Sequence, residues 1–206
     1  MKKNNYQMIK EVDKFDNKTT MKLNERYRLA RDLGILSAGA ELSVRYLSMP
    51  DEDSLFIDFF YSSSYDTHDF LYLDGGNMIL RINDCENITL PFIATDERSI
   101  TSYKDSQRRE HIFRTEYNFV KIDKETLEKI CNATSVEIKM GGRNPKIYDA
   151  SKCQGFIDYC KLFYDGLYNE TKNTVGDISV KKGWTKRDTI ILIIVTIAIV
   201  ILIICH

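Results

Sequence analysis

The sequence has few of the residues from which common catalytic centres are built. Three histidines are present, and the five cysteines are odd in number and form no C-x-x-C pair. This cysteine usage favours reduced thiols in a cytosolic domain over a disulfide framework. No Gly-x-x-x-x-Gly-Lys phosphate loop occurs, and no apolar core of a signal peptide follows the basic start at 1–6.

An excess of charge of either sign is also lacking. Lysine and arginine total 29 against 30 aspartates and glutamates, which gives a formal net charge of −1. A general nucleic-acid binder would carry a basic excess on one face or helix, so we expect no nucleic-acid partner.

One long uncharged run is present near the carboxyl end. Residues 189–205 contain no charged side chain, and isoleucine, leucine and valine supply 13 of the 17 positions. As a helix the run would reach roughly 25 Å, close to the hydrocarbon thickness of a bilayer. A buried core helix or a central strand is the alternative, but a core helix usually has a polar stripe and a strand rarely exceeds ten residues. The run therefore predicts a transmembrane helix.

Basic residues directly before this run predict its orientation. Lys181, Lys182, Lys186 and Arg187 precede it, with Trp184 among them. Lysine and arginine mark the cytoplasmic side of a span, and an indole suits the headgroup interface. We therefore expect a single-pass protein with a C-terminal anchor, whose main domain is cytoplasmic.

The rest of the chain predicts one α+β domain. We divide the sequence into a polar N-terminal arm (1–19), a cytoplasmic α+β domain (20–168), a flexible basic juxtamembrane linker (169–188) and the transmembrane helix (189–205). For the arm, a short helix is the alternative to a loosely attached segment. Apolar periodicity predicts an antiparallel sheet of about six to eight strands with two or three packed helices. The predicted helices lie near 20–38, 123–132 and 151–167. Eight predicted strands lie at 41–46, 54–61, 70–73, 77–83, 86–92, 111–122, 136–140 and 146–148. The alternation at 98–103 would add an edge strand.

Two acidic positions are the candidates for acid–base chemistry. Asp58 lies inside the apolar stretch 55–61, where it could act in a cleft. The interpretation we favour is that its face looks onto solvent or that it pairs with Arg45 or Arg81 on a neighbouring strand. Asp66, His68 and Asp69 form the nearest approach to a metal or acid–base cluster. A histidine between two acids in a serine-rich loop is usually solvated surface, because no second histidine or cysteine has ligand spacing to it.

Other polar groups carry no such signal. Cys153 and Cys160 lie two helical turns apart on one apolar stripe and are expected to be core thiols. A basic run is interrupted by acids, which predicts a mixed solvated surface. Its members are Lys104, Asp105, Arg108, Arg109, Glu110, Arg114 and Glu116.

No catalytic, cofactor-binding or metal-binding residue and no cofactor is therefore predicted. The favoured function is a membrane-anchored binding module that contacts the bilayer through 189–205 and another protein through its domain. The alternative is a membrane-associated hydrolase with an acid–base site around Asp58 or around Asp66, His68 and Asp69. A structural subunit whose span binds another helix ranks last, because the span lacks small residues four apart.

Overall fold

The computed structural model of the protein describes residues 6–31, 39–63, 69–94, 97–104, 106–108 and 110–169. These residues contain eleven strands and two helices. The strands are β1 (Met8–Asp13), β2 (Lys18–Leu23), β3 (Tyr27–Arg31), β4 (Gly39–Ser48), β5 (Asp53–Ser63), β6 (Asn77–Ile82), β7 (Glu86–Pro91), β8 (Arg98–Lys104), β9 (Glu110–Ile122), β10 (Val136–Gly141) and β11 (Lys146–Tyr148). The helices are α1 (Lys124–Asn132) and α2 (Ala150–Tyr168).

The strands form two antiparallel sheets. The larger has seven strands in the order β1-β2-β4-β5-β9-β8, and β3 pairs with β4 off this path. The smaller has four strands in the order β11-β10-β6-β7. The α+β class and the antiparallel pairing are thus confirmed, whereas the strands are shared between two sheets instead of one. Alternation along a strand indicates its buried face, but it does not identify the partner strand.

Both helices begin at an aspartate. The Asp123 side chain accepts a hydrogen bond from the Thr126 amide at the start of α1, and Asp149 accepts one from Lys152 at the start of α2. These are N-caps, which satisfy amide groups that lack a partner within the helix. The predicted helices 123–132 and 151–167 are confirmed to within one residue at each end.

The helix predicted over 20–38 is wrong, because residues 18–23 and 27–31 are strands β2 and β3; residues 32–38 lie outside the described part. The four-residue spacing of Leu23 and Tyr27 arises from a turn between two strands rather than from a helical face. The Tyr27 ring lies 5.7 Å from that of Phe156 in α2. Gly155 permits this packing, since a Cβ atom there would lie 2.9 Å from the Tyr27 ring.

Two further segments also differ from the prediction. Residues 8–13, predicted to belong to a polar arm, form an edge strand that pairs with β2, with Met8 opposite Leu23. Residues 70–73, predicted as a strand, form no strand. Their backbone groups bond instead to a side chain of β9 and to the β10–β11 turn, as described below.

The core lies between the two sheets and the helices. Apolar side chains on one face of the large sheet join those of the small sheet and of α2 in a single buried cluster, which includes Leu42, Ile57, Val120, Ile138 and Phe156. The opposite face of the large sheet is not part of this cluster, and we call it the outer face.

Within the described residues, no helix is long and apolar enough to cross a membrane. The predicted span 189–205 and all of the predicted linker after Asn169 lie outside those residues.

Candidate functional site

Aromatic and charged side chains lie together on the outer face of the three central strands of the large sheet. The register pairs Arg45 of β4 with Phe56 of β5, and it pairs Asp58 and Phe60 with Phe119 and Tyr117 of β9. Residues directly opposite each other in an antiparallel pair point to the same face. We call the group Arg45, Phe56, Asp58, Phe60, Tyr117 and Phe119 the aromatic face.

The centre of the aromatic face is an ion pair. Arg45 Nε donates to both carboxylate oxygens of Asp58 at 2.9 Å, and the Tyr117 hydroxyl donates to Asp58 Oδ1 at 2.9 Å. Asp58 is 5% exposed. Of the alternatives for Asp58, the structure therefore shows the pairing with Arg45. The solvent-facing position was wrong, and Arg81 instead faces Glu137 at 3.6 Å.

Aromatic rings enclose this pair. The Arg45 guanidinium carbon lies 4.3 Å from the centroid of Phe56 and 5.0 Å from that of Phe119. Burial, and then the nearby Asp58 carboxylate, raises the pKa of Tyr117 well above its ordinary value. Tyr117 therefore stays protonated and remains a hydrogen-bond donor to Asp58. Both carboxylate oxygens of Asp58 are thus occupied by hydrogen bonds from Arg45 and Tyr117.

The rim of the aromatic face is more exposed and forms one side of a groove. The Arg26 guanidinium lies 3.4 Å from the centroid of Phe60, and the Phe60 and Tyr117 rings are 4.7 Å apart. Glu41 faces Arg26 at 3.5 Å and Arg28 at 3.5 Å. The groove has a volume of about 490 Å³, and its lining includes Arg26, Glu41, Phe60 and Tyr117 together with Glu97 and Ser99. Such a groove can receive an apolar side chain beside a polar group.

Glu116 is a site residue that the sequence reasoning missed. It was assigned to a solvated mixed-charge surface, but it is 3% exposed. Its carboxylate accepts hydrogen bonds from the backbone amides of Leu71 at 2.7 Å, Tyr72 at 3.2 Å and Leu73 at 2.6 Å. The carbonyl groups of Leu71 and Tyr72 accept from the amides of Asn144 and Arg143. Strand alternation with the buried Val120 and Ile122 is the signal that could have placed Glu116 inward.

Of the other members of that basic run, Lys104, Arg108 and Glu110 are exposed, as predicted for a solvated surface, whereas Arg114 is half-buried. Asp105 and Arg109 lie outside the described residues.

The Asp66, His68 and Asp69 cluster is described only at Asp69, since Asp66 and His68 lie outside the described residues. Asp69 accepts hydrogen bonds from the Phe70 amide at 2.8 Å and the Tyr72 hydroxyl at 2.9 Å. The first of these bonds, followed by the second, lowers the pKa of the Asp69 carboxyl. In the described part of the chain, no group of three or more histidine, cysteine or acidic residues is arranged to hold a metal ion.

Three cysteines are core residues. Cys131, Cys153 and Cys160 are buried and unpaired as thiols, which confirms the prediction for Cys153 and Cys160. Burial raises the pKa of Cys131 to about 11 and that of Cys153 to about 12. Burial also raises the pKa of the Cys160 thiol. Since the thiolate is the reactive form, these groups are poor nucleophiles at neutral pH.

Comparison of the chain with protein-family models, with curated proteins and with solved structures finds no match.

Proposed function

We propose that this chain is a membrane-tethered binding module. In this proposal residues 189–205 anchor the chain in a bilayer, the α+β domain lies on the cytoplasmic side, and the aromatic face binds another protein. The observation that carries the binding role is the aromatic face itself. Its four aromatic rings lie outside the buried apolar cluster of the domain.

The chemistry of this face is that of a protein interface. Tyrosine, phenylalanine and arginine are enriched at interfaces, and tyrosine and arginine supply many of the residues that dominate binding energy. Phe60, Tyr117 and Phe119 are half-buried, so each keeps apolar area that a partner can cover. Arg45 is fixed by Asp58, which lowers the entropy that ordering would cost on binding.

The charged rim indicates the chemistry of the partner. Arg26 and Glu41 place a cation and an anion beside Phe60. A partner that inserts an aromatic or aliphatic side chain between these groups would fit the groove. A polar group of the partner could then replace Arg26 or Glu41 in the ion pair between them. Tethering would raise the effective concentration of the domain for partners in the same membrane without any new contact.

The geometry around Asp58 favours binding over hydrolysis. Its two carboxylate oxygens accept three hydrogen bonds from Arg45 and Tyr117. A general base must instead reach a proton of the substrate or of a water molecule. The ion pair therefore supports a structural role for Asp58 in the aromatic face.

The test is cross-linking in membranes of cells that produce the full chain, followed by capture of the chain and identification of attached proteins. We expect the double variant Phe60→Ser, Arg26→Ala to reduce the yield of a specific attached protein by about tenfold or more, as for loss of interface anchors. The matched control is Ile100→Ser, because Ile100 is 61% exposed on β8 but lies outside the aromatic face. Equal yields from the double variant and the control, or no attached protein with the unaltered chain, would contradict the proposal.

A further inference from the structure

The turn between β1 and β2 presents a phenylalanine to solvent. Phe15 is 99% exposed, and Val12 beside it is 56% exposed. The turn is held by Asp13, whose Oδ1 atom accepts hydrogen bonds from the amides of Phe15 at 2.9 Å and Asp16 at 3.4 Å. Phe15 is therefore displayed at the tip of a hydrogen-bonded turn.

A second turn lies beside this one and adds apolar surface. The register aligns Val12 with Thr19, Thr19 with Ser48, and Ser48 with Asp53 across four adjacent strands. The β1–β2 turn and the β4–β5 turn consequently lie at the same end of the large sheet. Met49 in the β4–β5 turn is 39% exposed. Single exposed apolar residues are common on protein surfaces. Here three share one end of the large sheet, so we ask what this end could contact.

The chain leaves the domain at this same end. The Lys124 amine lies 4.7 Å from the ring centroid of Tyr168 in the last turn of α2. Lys124 follows the end of β9, where Ile122 pairs with Leu55 near the β4–β5 turn. The Tyr164 hydroxyl, one turn before Tyr168, donates to Glu128 of α1 at 2.7 Å. Asn169 follows directly and precedes Thr189 by 20 residues.

The charges at this end indicate which surface would cover it. Lys14 and Lys18 are balanced by Asp13 and Asp16 in the β1–β2 turn, and Asp51, Glu52 and Asp53 make the adjacent turn acidic. Glu52 is paired with Lys121. A surface without a basic excess gains little from anionic lipid. The main contribution to membrane binding at this end of the domain would then be the burial of its apolar side chains, chiefly Phe15.

We propose that the tip of the β1–β2 hairpin inserts Phe15 into the headgroup region of the membrane, with Val12 and Met49 beside it. The proposal rests on the proposed tether, which brings this end of the domain to lipid. Interfacial elements bury phenylalanine, tryptophan and leucine about 5–10 Å deep at the boundary between headgroups and acyl chains, which is a depth that a single exposed turn can reach.

The test uses the full chain with Trp184→Phe, which removes its one tryptophan, in phosphatidylcholine vesicles with brominated or ordinary acyl chains. A tryptophan is then placed by Phe15→Trp or by the control Ile147→Trp. Ile147 is 63% exposed and lies just before the first residue of α2. The last residue of α2, Tyr168, is at the end of the domain that is proposed to contact lipid, and the helix between them has 19 residues. A helix of that length spans about 28 Å.

We expect the chain to float with the vesicles. We also expect brominated acyl chains to reduce the tryptophan emission of Phe15→Trp at least about twofold, because an indole at the headgroup level lies within reach of the acyl chains. The emission of Ile147→Trp should not change. Addition of phosphatidylserine should not increase this quenching. A floating chain with no quenching at position 15, with equal quenching at both positions, or with quenching only when phosphatidylserine is present would overturn the insertion while leaving the tether intact. A chain that fails to float would overturn the tether and the insertion together.

Discussion

The carboxylate of Glu116 takes the place of a neighbouring strand for residues 71–73. Three consecutive amides donate to its two oxygens, and the carbonyl groups of Leu71 and Tyr72 are bonded on the other side. The apolar residues of the segment predicted a strand. Its backbone does find partners, but the Glu116 side chain supplies three of the five named here.

Substitution Glu116→Gln should therefore destabilise the domain. The amide group of glutamine places a donor against at least one backbone donor, and hydrogen bonds to a charged group contribute about 1.5–3 kcal/mol each. We expect the free energy of unfolding to fall by about 2–4 kcal/mol, measured by urea unfolding of the detergent-solubilised chain. Hydrogen exchange at the amides of Leu71 and Leu73 should become faster.

The matched control is Glu110→Gln on the same strand, because Glu110 is exposed. It should change stability by less than about 0.5 kcal/mol, as is usual for surface substitutions. If both variants unfold alike, the three amide bonds to Glu116 contribute nothing measurable.

The α1 helix offers a test that depends on pH. Asp123 accepts hydrogen bonds from Thr126, and these bonds lower the pKa of the Asp123 carboxyl in the folded domain. A carboxyl whose pKa is lower in the folded state stabilises that state above the unfolded pKa of about 3.9, and this contribution is lost as the pH falls through the folded value. Asp123→Ala should reduce the free energy of unfolding by about 1 kcal/mol at pH 7, near the middle of the range for exposed N-caps.

The difference between the unaltered chain and Asp123→Ala should shrink as the pH falls below about 4. Asp123→Asn is the control, since its amide oxygen can still cap the helix but does not titrate. Its stability at pH 7 should lie between those of the other two proteins. Urea unfolding at several pH values would measure all three, and a gap that does not vary with pH would refute the electrostatic part of this account.

Local signals predicted α1, α2 and strands β4 to β11. They did not predict strands β1 to β3 or the long-range pairing, and the helix predicted over 20–38 was wrong. Each aspartate cap lies directly before its own helix, and the apolar stripe from Cys153 to Phe163 lies within α2. These signals can be read from neighbouring residues alone. Strand β4 pairs with β3 along its first half and with β2 along its second half. This change of partner depends on long-range pairing and leaves no local signal in the sequence. The turn that separates β2 from β3 happens to place Leu23 and Tyr27 at a helical spacing.

The candidate site was predictable only in part for a related reason. The stretch 54–61 is apolar on both faces, which predicted a central strand, and β5 does lie between β4 and β9. The sequence could not indicate that Phe56 and Phe60 lie outside the buried cluster. The sequence suggested Arg45 or Arg81 as a partner for Asp58 but could not choose between them, because the choice depends on which strand pairs with β5. The burial of Glu116 was not predicted, because a charged residue in a charged stretch is usually solvated.

The two proposed contacts lie toward opposite ends of the large sheet. Ser48 of β4 is in the row beside the β1–β2 turn, whereas Glu41 of the same strand is on the rim of the groove. Seven residues of strand separate these rows by roughly 23 Å. If the β1–β2 turn contacts lipid, the groove would therefore be presented away from the bilayer, where a partner protein could approach it.

The membrane tether is the prediction on which both contacts depend. The 13 isoleucine, leucine and valine residues of 189–205 favour insertion by roughly 4–8 kcal/mol before other terms. We expect the full chain to stay with membranes during alkaline washing, whereas the form ending at residue 188 should be released. Protease added outside sealed cells should leave the domain intact, because the basic residues before the run predict a cytoplasmic domain. Release of the full chain by alkali would refute the tether, and digestion of the domain on sealed cells would refute its orientation.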